Sequence, residues 1–155
     1  RCTYFWNRIR VLGGAYGAFV KFNMDGELYF GSYRDPNLVE TLQAYKDTVA
    51  FLENMNISDR EMTKYIIGTI SNLDVPLTPS AKGKSAAIAY IRGITNENIQ
   101  KVRNEVLSAK QDDIKKMAAM IKTCLADSAI CVVGNEEKLK ENKTIFKSLC
   151  NIFEA

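Results

Sequence analysis

The chain has 155 residues, a length that suits one domain with a core of its own. Hydrophobic residues make up 46% and charged residues 25%, which excludes a disordered or low-complexity chain. The net charge is only +3, with acidic and basic residues interleaved, so no nucleic-acid partner is expected; the short runs KKMAAMIK and KLKENK read as solvated helix faces.

The longest apolar runs, such as AICVV at 129–133, are far too short to span a bilayer, and no signal-peptide pattern opens the chain. No membrane partner is expected, and the cytoplasm is the expected location. The sequence begins at Arg1 without a methionine, which suggests a piece of a longer protein. The four cysteines, Cys2, Cys124, Cys131 and Cys150, include no C-x-x-C pair; Cys124 and Cys131 read as small core residues. There is no histidine at all. That removes Ser-His and Cys-His nucleophiles and the usual imidazole ligands of catalytic zinc. Any metal or general base must come from another segment.

In chain order, CTYFWNRIR reads as the end of a helix, with Tyr4, Phe5 and Ile9 on its apolar side and Trp6 beside them. Gly13 and Gly14 stop it, because glycine takes the left-handed conformation without a Cβ penalty. AYGAFVKFN then alternates, with Tyr16, Ala18, Val20 and Phe22 on one face and Ala15, Gly17, Phe19 and Lys21 on the other. MDG at 24–26 predicts a hairpin turn, and ELYFGSY is the returning strand. Asp35 then serves as an N-cap with Pro36 at the first helical position, and Leu38, Leu42, Tyr45, Val49 and Leu52 carry the apolar spacing of a long helix. SDRE at 58–61 has capping-box form and opens a helix to about Asn72. Pro79 starts a third helix ending at Gly93, Thr95 caps a fourth to about Ser108, and SAKQ at 108–111 opens a fifth. AICVV predicts a short buried strand, Gly134–Asn135 a turn, and 136–153 a last helix.

This order predicts one α+β domain, a two-layer sandwich of an antiparallel sheet with helices packed on one face. Three strands are few for the length, so the sheet is expected to lack partner strands, and the isolated chain is expected to pair edges or self-associate.

The stretches RIRVLGGAYGAF, GSYRDPNLVETL, YIIGTISNLD, PLTPSAKGKSA, IRGITNENIQKVRNEVLS and AICVVGNEEKL, in unbroken order from Arg8 to Phe153, resemble the end of the presequence-protease subfamily of insulinase/pitrilysin-like zinc metallopeptidases. The resemblance implies a protein of four related α+β domains, paired into two halves that close around an unstructured peptide. Zinc sits in the first domain, on an H-x-x-E-H motif. This chain resembles the later part of the fourth domain, so it implies a partial copy of that domain, inactive alone, whose partners are peptide substrates and the N-terminal half of the same polypeptide. An organellar matrix becomes a second expected location.

The subfamily pattern R-x-x-G-G-A-Y falls on Arg10, Gly13, Gly14, Ala15 and Tyr16. By resemblance, Arg10 and Tyr16 reach the substrate at the zinc, with Gly13 and Gly14 allowing its close approach. A tyrosine hydroxyl is a neutral donor suited to an oxyanion, worth about 3–4 kcal/mol, and arginine offers a rigid fork for backbone carbonyls. From spacing alone, Arg10 reads as a solvated cation at a helix end and Tyr16 as a half-buried strand aromatic. Arg34 and Asp35 read as a local ion pair and cap, Ser32 and Tyr33 stand at a strand end, Lys82 and Gly83 read as packing residues, and Glu136 and Glu137 face solvent near a helix N-terminus. A second function class stays open: a non-catalytic peptide-binding or scaffold half, as in relatives without the zinc motif.

Overall fold

The computed structural model describes residues 3–23 and 26–152; Cys2, the Met24 and Asp25 of the expected hairpin turn, and Phe153 lie outside them. The chain opens with a single helical turn, α1 (Thr3–Phe5), that widens at once into a π-helical segment, Trp6–Val11. The antiparallel hairpin follows as β1 (Gly17–Phe22) and β2 (Leu28–Tyr33). Five longer helices come next, α2 (Val39–Glu53), α3 (Asp59–Leu73), α4 (Pro79–Ile91), α5 (Asn96–Ser108) and α6 (Gln111–Ala126), and then the short α7 (Glu136–Glu141) and a 3₁₀ turn, Lys143–Ile145. This is the expected α+β arrangement, with helices packed against a small antiparallel sheet.

The hairpin register pairs Ala18 with Ser32 and Val20 with Phe30 on the face turned to the helices, and Phe19 with Gly31 and Lys21 with Tyr29 on the other. Two apolar clusters form on the inner face. In the first, Phe5, Ile9, Ala15 and Ala44 are buried, with Ala18, Val20, Phe30 and Tyr45 packed around them. In the second, Leu52, Ala118 and Ile121 join α2 to α6, with Leu28 and Phe30 against them. Phe30 belongs to both.

The apolar spacing of α2 points at the right helix but not at its most buried line. Thr41, Ala44, Thr48 and Leu52 are buried, while Leu42, Tyr45 and Val49 are partly buried beside them. Small residues occupy the line because the opening helix passes close to the α2 backbone there: the Tyr4 hydroxyl donates to the Ala44 carbonyl at 3.1 Å. Thr48 donates to the same carbonyl at 3.2 Å, satisfying a hydroxyl that would otherwise be stranded.

The helix starts of α3, α4 and α5 follow their caps. Ser58 and Glu61 form a reciprocal capping box, Thr78 caps α4 with Pro79 in its first turn, and Thr95 accepts from the Asn98 N–H. The Glu61 carboxyl is held below its usual range by hydrogen bonds from the Ser58 backbone and hydroxyl. Arg103 of α5 hydrogen-bonds Asp74 beyond α3 and lowers that carboxyl likewise.

Elsewhere the structure corrects the sequence reading. Helix α2 begins at Val39, not beside Asp35, because the Asp35 carboxylate is engaged in the preceding loop, accepting from the Asn37 N–H at 2.9 Å and the Thr41 hydroxyl at 2.7 Å. Arg34 makes no ion pair with Asp35; its guanidinium lies 5.4 Å from the Tyr33 ring centre. Ser108 ends α5 instead of capping α6; the carboxylate reaching back to the α6 start is Asp113, which accepts from the Lys110 N–H at 3.0 Å.

The AICVV run forms no strand and is mostly exposed, since the described sheet ends at two strands and offers it no pairing partner. Cys131 within it, and Cys124 on α6, are exposed as well, not core residues. The last helix stops at Glu141, where the Asn142 side chain turns back to donate to the Lys138 carbonyl at 2.9 Å. Lys82 and Gly83 lie on an exposed face of α4, and a Cβ on Gly83 would meet nothing, so a packing role is not found.

Arg34 is the one non-glycine residue with positive φ among the described residues, at 48°. That conformation costs an L-residue about 1–2 kcal/mol, partly offset by the flexibility glycine would add to the unfolded chain. Arg34→Gly is therefore expected to stabilise the chain by about 0.5–1 kcal/mol in urea unfolding; a loss of stability would show that the cation over Tyr33 outweighs the strain.

Candidate functional site

The turn that carries Gly13, Gly14 and Tyr16 is built by the π-helix before it. The Leu12 N–H reaches the Asn7 carbonyl at 2.9 Å, the five-residue spacing of a π turn. The Gly14 N–H then returns to Arg10 at 2.9 Å and the Ala15 N–H to Ile9 at 3.1 Å. This nested pair is a Schellman-like closure in which each bond spans one residue more than usual. Gly14 has φ of 77°, so the predicted left-handed stop falls there. Gly13 is needed for another reason: a Cβ on it would lie 2.5 Å from the Ile9 carbonyl oxygen.

The 35–37 loop supports this turn from the far side. The Asn37 side-chain amide donates to the Gly13 carbonyl. Pro36 lies against Gly14, its Cγ 3.6 Å from where a Cβ would stand. The Tyr16 N–H is shared between the Tyr33 carbonyl at 3.1 Å and the Arg34 carbonyl at 3.3 Å, extending the hairpin pairing to the edge of the turn. Lys138 of α7 donates to the Pro36 carbonyl at 2.7 Å, bringing the chain's end back to the same loop.

Ala15 is buried and anchors the turn in the first cluster, but Tyr16 leaves the inner face that Ala18 and Val20 share. Its side chain is 66% exposed and meets Tyr33 edge-on, with ring centres 6.0 Å apart. Arg10 is half-buried, its guanidinium 3.9 Å from the centre of the Trp6 ring, a cation–π stack that holds the fork in one orientation. In the first cluster Tyr45, packed on Phe5 and Phe30, has its hydroxyl pKa pushed up by burial; hydrogen bonding with Ser32 opposes this and the Asp35 charge adds to it. Between the π-helix and α2 runs a shallow groove of about 290 Å³, with Arg8, Leu12, Gly13, Asn37 and Glu40 among its walls.

The sequence-predicted residues therefore share one region, and the region needs more of the chain than the motif itself. Asn37 and Asp35 are not read from the sequence as supports of Gly13, and no spacing rule links Gly13 to Asn37, 24 residues further on. Among the described residues no group of three or more histidine, cysteine, aspartate or glutamate side chains could hold a metal ion. No described helix is long and apolar enough to cross a membrane.

This is a mixed helical domain in which a glycine turn, braced on two sides, stands between an arginine on the π-helical segment and a tyrosine at the edge of the hairpin. The family profile described as the PreP C-terminal domain matches residues 1–136, and the chain belongs to that family. Presequence protease 1, chloroplastic/mitochondrial, of Arabidopsis thaliana is 38% identical over 138 residues, 88% of this chain and 13% of that protein. The mitochondrial presequence protease of Emericella nidulans is 32% identical over 145 residues, 91% of this chain and 13% of that protein. A protein named HypA from Clostridium perfringens is 46% identical over 149 residues, 96% of this chain and 15% of its own length. The chain thus spans about a seventh of the relatives it matches.

Proposed function

We propose that this chain is the substrate-closing C-terminal domain of a four-domain zinc endopeptidase of the insulinase type that degrades unstructured peptides. The observation that carries the reading is the braced turn, which presents Tyr16 exposed and Arg10 stacked, together with relatives named presequence proteases. Membership of a protease family supports the hydrolase role; the zinc, the closing motion and the residue roles are inferred.

Among the described residues no group of side chains suits a zinc ion, and on this reading the metal would be held by the N-terminal part of the full-length protein. The work of this chain is binding and charge stabilisation. Tyr16 donates its hydroxyl hydrogen bond to the peptide carbonyl oxygen as negative charge develops there, a contact strongest in the transition state. Arg10 aims its fork at substrate backbone carbonyls, already oriented by Trp6. Docking against the N-terminal half brings both residues to the bond and excludes water, as lids and closing domains do. A chamber that closes admits extended chains and rejects folded ones. The bacterial cytoplasm or an organellar matrix suits this role, and the chloroplastic or mitochondrial names of some relatives support the second.

The test is peptidase activity of the full-length protein on an unstructured peptide and on a folded protein containing the same peptide. Cleavage of the first alone, abolished by a chelator and restored by zinc, is the expected result. No cleavage by the wild type would move the protein to a binding or scaffold role, and zinc-independent cleavage would keep the hydrolase role but remove the metal from it.

A further inference from the structure

We infer that Asn37, held by Asp35 and Thr41, is a positioning residue that sets the place of Tyr16 through the Gly13–Ala15 turn. The inference rests on the proposed role of Tyr16 and adds the device that aims it.

The chain of contacts is continuous. Thr41 sits buried on α2, and its hydroxyl donates to one Asp35 carboxylate oxygen at 2.7 Å. The other oxygen accepts the Asn37 N–H at 2.9 Å, fixing the loop and with it the Asn37 side chain. The Asn37 amide donates to the Gly13 carbonyl. A Cβ on Gly13 would lie 2.5 Å from the Ile9 carbonyl oxygen, so only a glycine fits this close approach of the two backbones, and the Asn37 amide holds the Gly13 carbonyl in place. From Gly13 the turn leads through the Gly14 and Ala15 bonds to the Tyr16 N–H, which Tyr33 and Arg34 share. Arg34 keeps its unfavourable φ of 48° at this junction. Strained backbone persists where surrounding contacts over-determine it, which these do.

Tyr16 is largely exposed and its ring packs only against the edge of Tyr33, which leaves the hydroxyl to be aimed by the backbone of the turn. Misplacing a catalytic group by about 1 Å can cost about a hundredfold in rate. The Asn37 amide is well placed to prevent that, because it acts on the turn's backbone and leaves the Tyr16 ring free to meet substrate.

The experiment is a double-mutant cycle in the full-length enzyme, with peptide hydrolysis and amide exchange as readouts. Asn37→Asp keeps the shape and removes the donor. It is expected to lower kcat by about 10–100-fold with KM nearly unchanged, and to quicken amide exchange across residues 13–16 but not along α2. In a Tyr16→Phe background the same change is expected to cost less than about threefold, since there is no hydroxyl left to aim. Equal cost in both backgrounds, or unchanged exchange at 13–16, would overturn the positioning role. A silent Tyr16→Phe would instead sink the reading of Tyr16 itself. Should Asn37→Asp fail to fold, Thr41→Val removes the support one bond further back. It must then show the same kcat-specific loss, of about 3–10-fold, and the same dependence on Tyr16; a loss independent of Tyr16 overturns the inference.

Discussion

Tyr16→Phe in the full-length enzyme is expected to lower kcat/KM by about 10²–10³, carried by kcat, with thermal stability unchanged. The two halves of that expectation come from different features. The side chain is 66% exposed and its ring meets only the edge of Tyr33, a contact phenylalanine keeps. Removing an exposed hydroxyl moves folding stability by no more than about 0.5 kcal/mol, so a large loss of activity cannot be a loss of fold. The catalytic cost follows from where the hydrogen bond is made. A neutral donor gains most when its acceptor acquires charge, so its removal is felt in the transition state and scarcely in the Michaelis complex. Unchanged kinetics in Tyr16→Phe would leave Tyr16 as an aromatic packed on Tyr33.

Gly13→Ala is expected to destabilise the chain by about 2–3 kcal/mol, read from urea unfolding, and to lower activity more than tenfold. An added Cβ would stand 2.5 Å from the Ile9 carbonyl oxygen and 3.1 Å from that of Arg8. These are backbone atoms of the π-helical segment, and Ile9 is 1% exposed in the first cluster, so neither can step aside without unwinding that segment. Moving Gly13 instead breaks its bond from Asn37. Gly31 offers the control. A Cβ there would come as close as 2.4 Å, but to the outer end of the Phe19 ring, which is 41% exposed and free to rotate away. Gly31→Ala is accordingly expected to cost under about 1 kcal/mol. If the two substitutions cost the same, the tight approach at Gly13 is not what the turn depends on.

How much of this was legible in the sequence depended on how local the signal was. The hairpin and helices α3 to α5 follow caps, prolines and alternation within a few residues, and their boundaries fall close to those expected. The failures share one cause. AICVV reads as a buried strand on composition, yet a strand needs a neighbour, and the two-stranded sheet provides none for it. Asp35 has the form of an N-cap, yet its carboxylate is drawn to Asn37 and Thr41, and α2 starts later. The π-widening of Trp6–Val11 left no mark in the pattern, although it determines how the glycine turn closes. At the site, Arg10, Gly13, Gly14 and Tyr16 were readable only through the family resemblance, and their support from Asn37 was not readable at all.

The sharing of one ring by both apolar clusters has a bearing on how the chain comes apart. Phe30 meets Phe5 edge-on at 5.7 Å and stacks on Tyr45 at 5.3 Å, while also lying against the cluster that joins α2 to α6. Loosening either cluster removes a wall from the other, so hairpin, opening helix, α2 and α6 form one cooperative unit. Helices α3, α4 and α5 bury no side chain fully and stand outside it. The glycine turn sits in that unit, so amide exchange at residues 13–16 is expected to be slower than along α3 to α5.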